Sequence, residues 1–268
     1  MATSSGDWSQ LLRNKIVFVT GAAGHIAKSI VKTCYLHGAR IVMGDLDPTV
    51  INKVKQEIFC KEQNFDEDRI LIVKLDVTDE KSIEQAIQIT IETWKTIDIL
   101  LNTAAIVTMG EIEDISSKDW SHIFDVNIRG YALMAKHIAP ILKKQRSGSI
   151  VNIASTLGLI AIPNAVAYSV TKGAILQLTR NLALDLGSFN IRVNSISPGS
   201  IDSPGRTQLA KENHLTVEQM DQMCMDGSCL KRIGQAQDIA NLIVFVISGL
   251  CPFMTGANLV ADGGNVVM

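Results

Sequence analysis

The chain lacks the features that would tie it to a charged surface, an oxidising compartment or a bilayer. Its 25 Lys and Arg stand against 27 Asp and Glu across 268 residues, and no run of like charge breaks that balance. Electrostatics therefore gives no reason to expect nucleic acid or an anionic membrane as partner. Five cysteines, Cys34, Cys60, Cys224, Cys229 and Cys251, are odd in number and scattered, with neither a C-x-x-C pair nor a companion histidine cluster. They read as reduced thiols, and no metal site is expected. The longest apolar stretch, LIVFVISGL from Leu242 to Leu250, is far shorter than the ~20 residues a bilayer span requires, so it reads as a buried helix. The opening MATSSGDWSQLLRNK has no long apolar core and no repeated arginines, which leads to the expectation of a cytoplasmic protein. No repeat, low-complexity tract or Pro/Gly/Ser linker divides residues 1–268, so a single domain is expected. With 47% hydrophobic residues, it can bury a substantial core.

What is present is an alternation of apolar runs and helical patterns. KIVFVT, RIVMGD, RILIVKLD, IDILLN, SIVNIAS, IRVNSIS and a short NLVAD read as strands. Between them, Ile83, Ala86, Ile87, Ile91 and Trp94 recur at helical spacing, as do Ile123, Phe124, Ile128, Tyr131 and Ala135. The alternation predicts an α/β fold, a parallel sheet with helices on both faces. The one long stretch without clear periodicity runs from about Ser203 to Lys231 after a Pro-Gly break, and its length suits a lid over a binding site, at about 203–231.

The stretch VTGAAGHIA (19–27) lies between strand KIVFVT and the helical pattern Ile26, Ile30, Cys34 and Leu36/His37, which ends at Gly38. Strand, glycine turn and helix is the context in which free N–H groups and the positive end of a helix bind a pyrophosphate. Alone, it also reads as an ordinary tight turn. Asp45 closes the next strand, 24 residues after Gly21, where a carboxylate accepts from adenosine ribose hydroxyls and repels a 2′-phosphate. Arg40 begins that strand, about 15 Å away at ~3.3 Å per residue, and cannot compensate. NAD is therefore expected rather than NADP.

Ser155 follows strand SIVNIAS, and thirteen residues later YSVTK places Tyr168 and Lys172 four apart on one helix face. That face continues through Ile175, Leu176, Thr179 and Leu182, so Lys172 lies on a buried stripe, where an ammonium needs a partner or a task. A phenol with pKa ~10 becomes a usable base beside a cation, since ~4 kcal/mol of attraction at about 4 Å is worth ~3 pKa units before desolvation. Asn127 shares the Ile123 and Tyr131 stripe, and a buried amide must bond to backbone or to water.

Together these segments, with Asp76-Val77, NTAA (102–105), RVNSISPG (192–199) and TGANLVADGG (255–264), resemble the short-chain dehydrogenase/reductase family over nearly the whole chain. The resemblance implies a Rossmann-type, doubly wound, mainly parallel seven-stranded sheet. It implies a catalytic set of Asn127, Ser155, Tyr168 and Lys172. Its implied cofactor contacts are Gly21, Gly24, His25 and Ile26 in the turn, Asp45 and Leu46 at the ribose, Asp76 and Val77 at adenine, Asn102 to Ala104 along the cleft, Tyr168 and Lys172, and Pro198, Gly199 and Ile201 toward nicotinamide.

The glycine loop is atypical. His25 and Ala27 stand on the second and third glycines of the short form's T-G-x-x-x-G-x-G, whereas the loop fits the longer sugar-nucleotide form's T-G-x-x-G-x-x-G with Ala at the last glycine. RVNSISPG, VADGG and the chain length match the short form. Histidine is enriched at positive φ among non-glycine residues, so His25 can complete the turn. The implied activity is NAD-dependent hydride transfer between nicotinamide and a secondary alcohol or ketone, with Asn127 anchoring a water relay and no metal. The alternatives are a sugar-nucleotide epimerase or dehydratase and a non-catalytic NAD-binding regulator. Ile106, Val107, Thr156, Leu157, Pro163, Asn164, Ser200 and Ile201 are the expected pocket residues, with Arg206 and Lys211 on the lid, which suits a small neutral hydroxyl compound. NLIVFVISGL and the tail GGNVVM, with the resemblance, imply a homotetramer.

Overall fold

The computed structural model describes residues 8–62, 65–204, 210 and 215–268. Seven strands, β1 (Ile16–Thr20), β2 (Arg40–Asp45), β3 (Ile70–Lys74), β4 (Ile99–Asn102), β5 (Gly148–Ile153), β6 (Ile191–Pro198) and β7 (Asn258–Ala261), form one sheet in the order β3-β2-β1-β4-β5-β6-β7. Every neighbouring pair is parallel. The order reverses between β1 and β4, the point at which a doubly wound sheet opens a crevice at its strand carboxyl ends. Helices α1 (His25–Leu36), α2 (Pro48–Phe59), α3 (Glu80–Trp94), α4 (Ser117–Phe124), α5 (Gly130–Gln145), α6 (Val166–Gly187), α7 (Val217–Asp226) and α8 (Ala236–Ile247) connect them. No helix among the described residues is long and apolar enough to cross a membrane.

The strand period of two builds both layers. Val17, Val19, Leu101 and Val151 pack with Ile30 and Cys34 of α1 and Ile239 and Ile243 of α8 on one side. Phe18, Leu100 and Ile150 point the other way, onto Ile83 of α3 and Met134 and Ile138 of α5. The interior strands β1, β2, β4, β5 and β6 are buried on both faces along most of their length, which is why they read as continuous apolar runs.

Local differences from the sequence reading have identifiable causes. Leu36, placed on the α1 stripe, is 50% exposed because the helix ends there and the buried face closes at Cys34 and Tyr35. The apolar run at Leu242 belongs to a helix that starts at Ala236, behind a reciprocal Gln235/Asp238 cap, and stops at Ile247. Leu250 lies beyond it. The segment at 203–231 carries α7, opened by a Thr216/Gln219 capping box, a legible T-x-x-Q signal masked by weak apolar periodicity. The Ile123–Ala135 pattern is broken into α4 and α5 by a π-helical turn, Asp125–Arg129, leaving Phe124 half-exposed against Trp120 while Asn127 and Tyr131 turn inward.

A polar ladder crosses this apolar interior. Asn102 Nδ2 of β4 donates to Asn152 Oδ1 of β5 at 2.9 Å, and Asn152 Nδ2 donates to Thr179 Oγ1 of α6 at 2.9 Å. Thr179 in turn donates to the Ile175 carbonyl. Asn152→Ala would strand a buried donor on Asn102, so urea denaturation should show a loss of about 2 kcal/mol. Asn52→Ala, which removes an exposed bond to the Pro48 carbonyl, should stay within ~0.5 kcal/mol of wild type.

Candidate active site

The turn after β1 is shaped by one glycine. Gly21 has φ +63°, and a Cβ there would lie 2.7 Å from Ala104 Cα, so a side chain would meet both backbone strain and a clash. Thr20 Oγ1 accepts the N–H groups of Thr103 (3.0 Å) and Ala104 (3.1 Å), tying the end of β1 to that of β4. His25 does not occupy the left-handed region as expected: it is the exposed first residue of α1, after Gly24 at φ −65°. Among the non-glycine residues with positive φ none lies in this loop, so the helix accepts histidine without strain. Gly24 supplies no side-chain cap, which leaves first-turn N–H groups of α1 without a capping side chain, and Ile26 is partly buried beside them.

Asp45 sits at the rim of that cleft with both carboxylate oxygens engaged. Oδ2 accepts from Ala23 N at 2.9 Å and Oδ1 from Leu46 N at 2.7 Å. The acidic residue therefore braces the glycine turn as well as presenting charge, a role its position in the sequence did not announce. Leu46 beside it is exposed. Asp76 Oδ1 accepts from the N–H and hydroxyl of Thr78. Val77, expected at adenine, is 8% exposed and packs against Gly130, whose Cβ would lie 2.8 Å from Val77 Cγ2. Asn102, expected along the cofactor, turns its side chain into the ladder. Both are core side chains, leaving only their main chain for the cleft.

Pro198 ends β6, and Gly199 N donates to the Ala261 carbonyl at 3.0 Å, while Ile201 bridges to Gly234. Four of the eight expected pocket residues line two separate cavities, and Ile106, Val107, Thr156 and Leu157 line neither. Pro163 and Asn164 line a shallow groove of about 510 Å³ with Gly110, Ile112 and Ile162. Ser200 and Ile201 line a cavity of about 190 Å³ with Leu230, Arg232 and Asp262. Val107 is exposed and Thr156 buried. Arg206 and Lys211 lie outside the described residues.

The proposed catalytic side chains do converge. Ser155, just past β5, accepts from Leu157 N at 3.1 Å, and its hydroxyl is the polar neighbour that lowers the pKa of the Tyr168 phenol. Lys172, one turn after Tyr168 on α6, is 1% exposed and donates from Nζ to the Ile153 carbonyl at 2.9 Å. Asn127 clamps the Ile106 backbone: Oδ1 accepts from its N–H and Nδ2 donates to its carbonyl, each at 2.9 Å, and Nδ2 also reaches Thr171 Oγ1 at 3.1 Å. Both amide protons are engaged inside the protein, so the side chain positions the loop and α6 rather than donating to a water chain. The sequence reading passed over Thr171, although it adjoins Lys172.

Burial dominates the electrostatics of the Tyr168 and Lys172 pair. Burial pushes Tyr168 up to about 12, partly offset by the Ser155 hydrogen bond, and burial pulls Lys172 down to about 7. Lys172 Nζ lies 5.4 Å from the Tyr168 ring centre, so a cation there would favour a phenolate. Removal from water opposes both charges, so burial disfavours either charge formed without the other.

This arrangement has known counterparts. A family model described as enoyl-(acyl carrier protein) reductase matches residues 21–265. The chain belongs to the short-chain dehydrogenase/reductase family. It is 34% identical over 257 residues to trans-4-hydroxycyclohexanecarboxylate dehydrogenase of Sinomonas cyclohexanicum, covering 96% of this chain and 94% of that one. It is 30% identical to cyclopentanol dehydrogenase of Comamonas testosteroni, covering 94% and 97%. The crystal structure of levodione reductase superposes with a TM-score of 0.88 at 25% identity, covering 96% and 99%. The chain is thus an oxidoreductase of a family that uses nicotinamide cofactors, and the site fits one: the Gly21 concavity is space that a Cβ would fill, and the first turn of α1 opens onto it.

These contacts predict that Gly21→Ala lowers NAD affinity at least tenfold, about 1.4 kcal/mol, in calorimetric titration. His25→Gly should stay within a few fold, and a tenfold loss there would reveal a direct phosphate contact by the imidazole.

Proposed function

We propose that this oxidoreductase is an NAD-dependent dehydrogenase that interconverts a small, uncharged cyclic secondary alcohol and its ketone. The observation that carries the reading is the convergence of Ser155, Tyr168 and Lys172 at the strand carboxyl ends beside the Gly21 turn. The ring alcohols named for two curated relatives, one of them a carboxylate, support a cyclic secondary alcohol, and the apolar Ile112 and Ile162 along the groove support an uncharged one. Asp45 supports NAD, because a carboxylate at the ribose edge repels a 2′-phosphate. Exposed Phe245, Phe253, Val260 and Val267 support the tetramer; a cytoplasmic location and a lid at about 203–231, of which 205–209 and 211–214 lie outside the described residues, belong to the same proposal.

Nicotinamide, when bound, accepts or donates the hydride. Gly21, the first turn of α1, Asp45 and the main chain at Asn102 to Ala104 and Pro198 to Ile201 would hold the cofactor. In alcohol oxidation Ser155 Oγ orients the substrate oxygen and Tyr168 Oη takes its proton as the carbinol hydrogen leaves with its electron pair, giving a ketone. In reduction Tyr168 returns that proton. Lys172 contributes the charge that makes a buried phenolate accessible, and Asn127 keeps the Ile106 loop and Thr171 in place around it.

Three outcomes test this reading in an NADH-formation assay screened over cyclic alcohols, hydroxysteroids, sugar alcohols and hydroxy acids. Tyr168→Phe should lower kcat by at least ~10²-fold with little change in NAD affinity, and near-normal turnover would remove the basis of the proposal. Lys172→Met should weaken both, with the residual oxidation rate rising toward alkaline pH: without the cation the phenol keeps its proton to higher pH, so the reactive phenolate accumulates only as pH climbs. Calorimetry should show NAD bound well and NADP poorly. Asp45→Ser should narrow that gap while also weakening NAD, since Ala23 N loses its acceptor.

A further inference from the structure

Lys172 is enclosed by three elements, and one of them contributes a residue that the catalytic set omits. Tyr131, 1% exposed on α5, donates its hydroxyl to the Ile153 carbonyl at 3.2 Å, the same oxygen that Lys172 Nζ reaches at 2.9 Å. Nζ also lies 5.9 Å from the Tyr131 ring centre and 5.4 Å from that of Tyr168. The groups facing the ammonium are thus Tyr168 from its own helix, Tyr131 from α5 and the Ile153 carbonyl at the end of β5. No carboxylate pairs with it among the described residues.

We propose that Tyr131 is a positioning residue for Lys172, its ring forming the second aromatic wall that keeps the buried amine protonated and its hydroxyl fixing that wall to the carbonyl the lysine uses. This rests on the role given to Lys172 in the proposed dehydrogenase, where only the ammonium can stabilise the Tyr168 phenolate. The ring faces carry negative potential toward the cation and replace part of the hydration that burial removes. A carbonyl oxygen has two lone pairs, so both donors are accommodated and their positions become linked. The π-helical turn supplies the geometry: Asn127 within it bonds to Thr171, and Tyr131 just after it meets Lys172, so two residues four apart grip two consecutive residues of α6.

The test titrates the full-length protein labelled with [13Cε]lysine, the Lys172 signal being the one lost in Lys172→Met. Tyr131→Phe keeps the ring and should leave the midpoint at the wild-type pH. Replacing Tyr131 by pentafluorophenylalanine keeps the shape but reverses the ring's electrostatics, and should lower the midpoint by about half a unit or more relative to the Phe variant, as should Tyr131→Leu. A merely structural role would lower melting temperature without moving the midpoint. A midpoint in the fluorinated variant equal to or above that of the Phe variant would overturn the proposal. The titration needs no substrate, so a protein that showed this shift but oxidised no alcohol would defeat the dehydrogenase reading alone.

Discussion

Everything at the candidate site depends on holding one ammonium in an apolar interior. Lys172 has the Ile153 carbonyl as its hydrogen-bond acceptor and two aromatic rings as its nearest polar surfaces. Burial works against its charge and also against a phenolate on Tyr168. The two penalties are linked: a cation and an anion formed together in a low-dielectric pocket offset each other, whereas either alone is disfavoured. A site of this kind is responsive, because any further charge brought near the pair changes which protonation state is favoured.

The frame around that ammonium is rigid for reasons distributed over the fold. β5 is hydrogen-bonded on both sides, so its terminal carbonyl is fixed. The Asn102–Asn152–Thr179 ladder fastens α6 to the sheet one turn beyond Ile175. The Asn127 clamp secures the start of the loop after β4. Polar side chains thus do in the interior what apolar packing cannot: they specify which residues are neighbours, and each pairing would be expensive to break.

The nucleotide end follows a similar logic. Asp45 bonds to the N–H of Ala23 and so shapes the turn, and in the proposed NAD enzyme the same carboxylate would discriminate at the ribose. On that proposal, cofactor choice and turn geometry would be coupled through one side chain.

Much of this was legible in the residues. The strand runs, the glycine turn, the strand-end acid and the i, i+4 pairing of Tyr168 with Lys172 are local patterns whose physical requirements show in composition and spacing, and all reappear in the parallel sheet and its carboxyl-end cleft. Tertiary structure decided what depends on partners distant in sequence: that Asn127 faces Ile106 and Thr171, that Asn102 and Val77 turn into the core, that His25 needs no special torsion, and that Lys172 shares its carbonyl with Tyr131. The π-helical turn is the clearest case. Its extra residue breaks the 3.6-residue period from which the faces of α4 and α5 were read, and only packing against α6 determines where the register resumes.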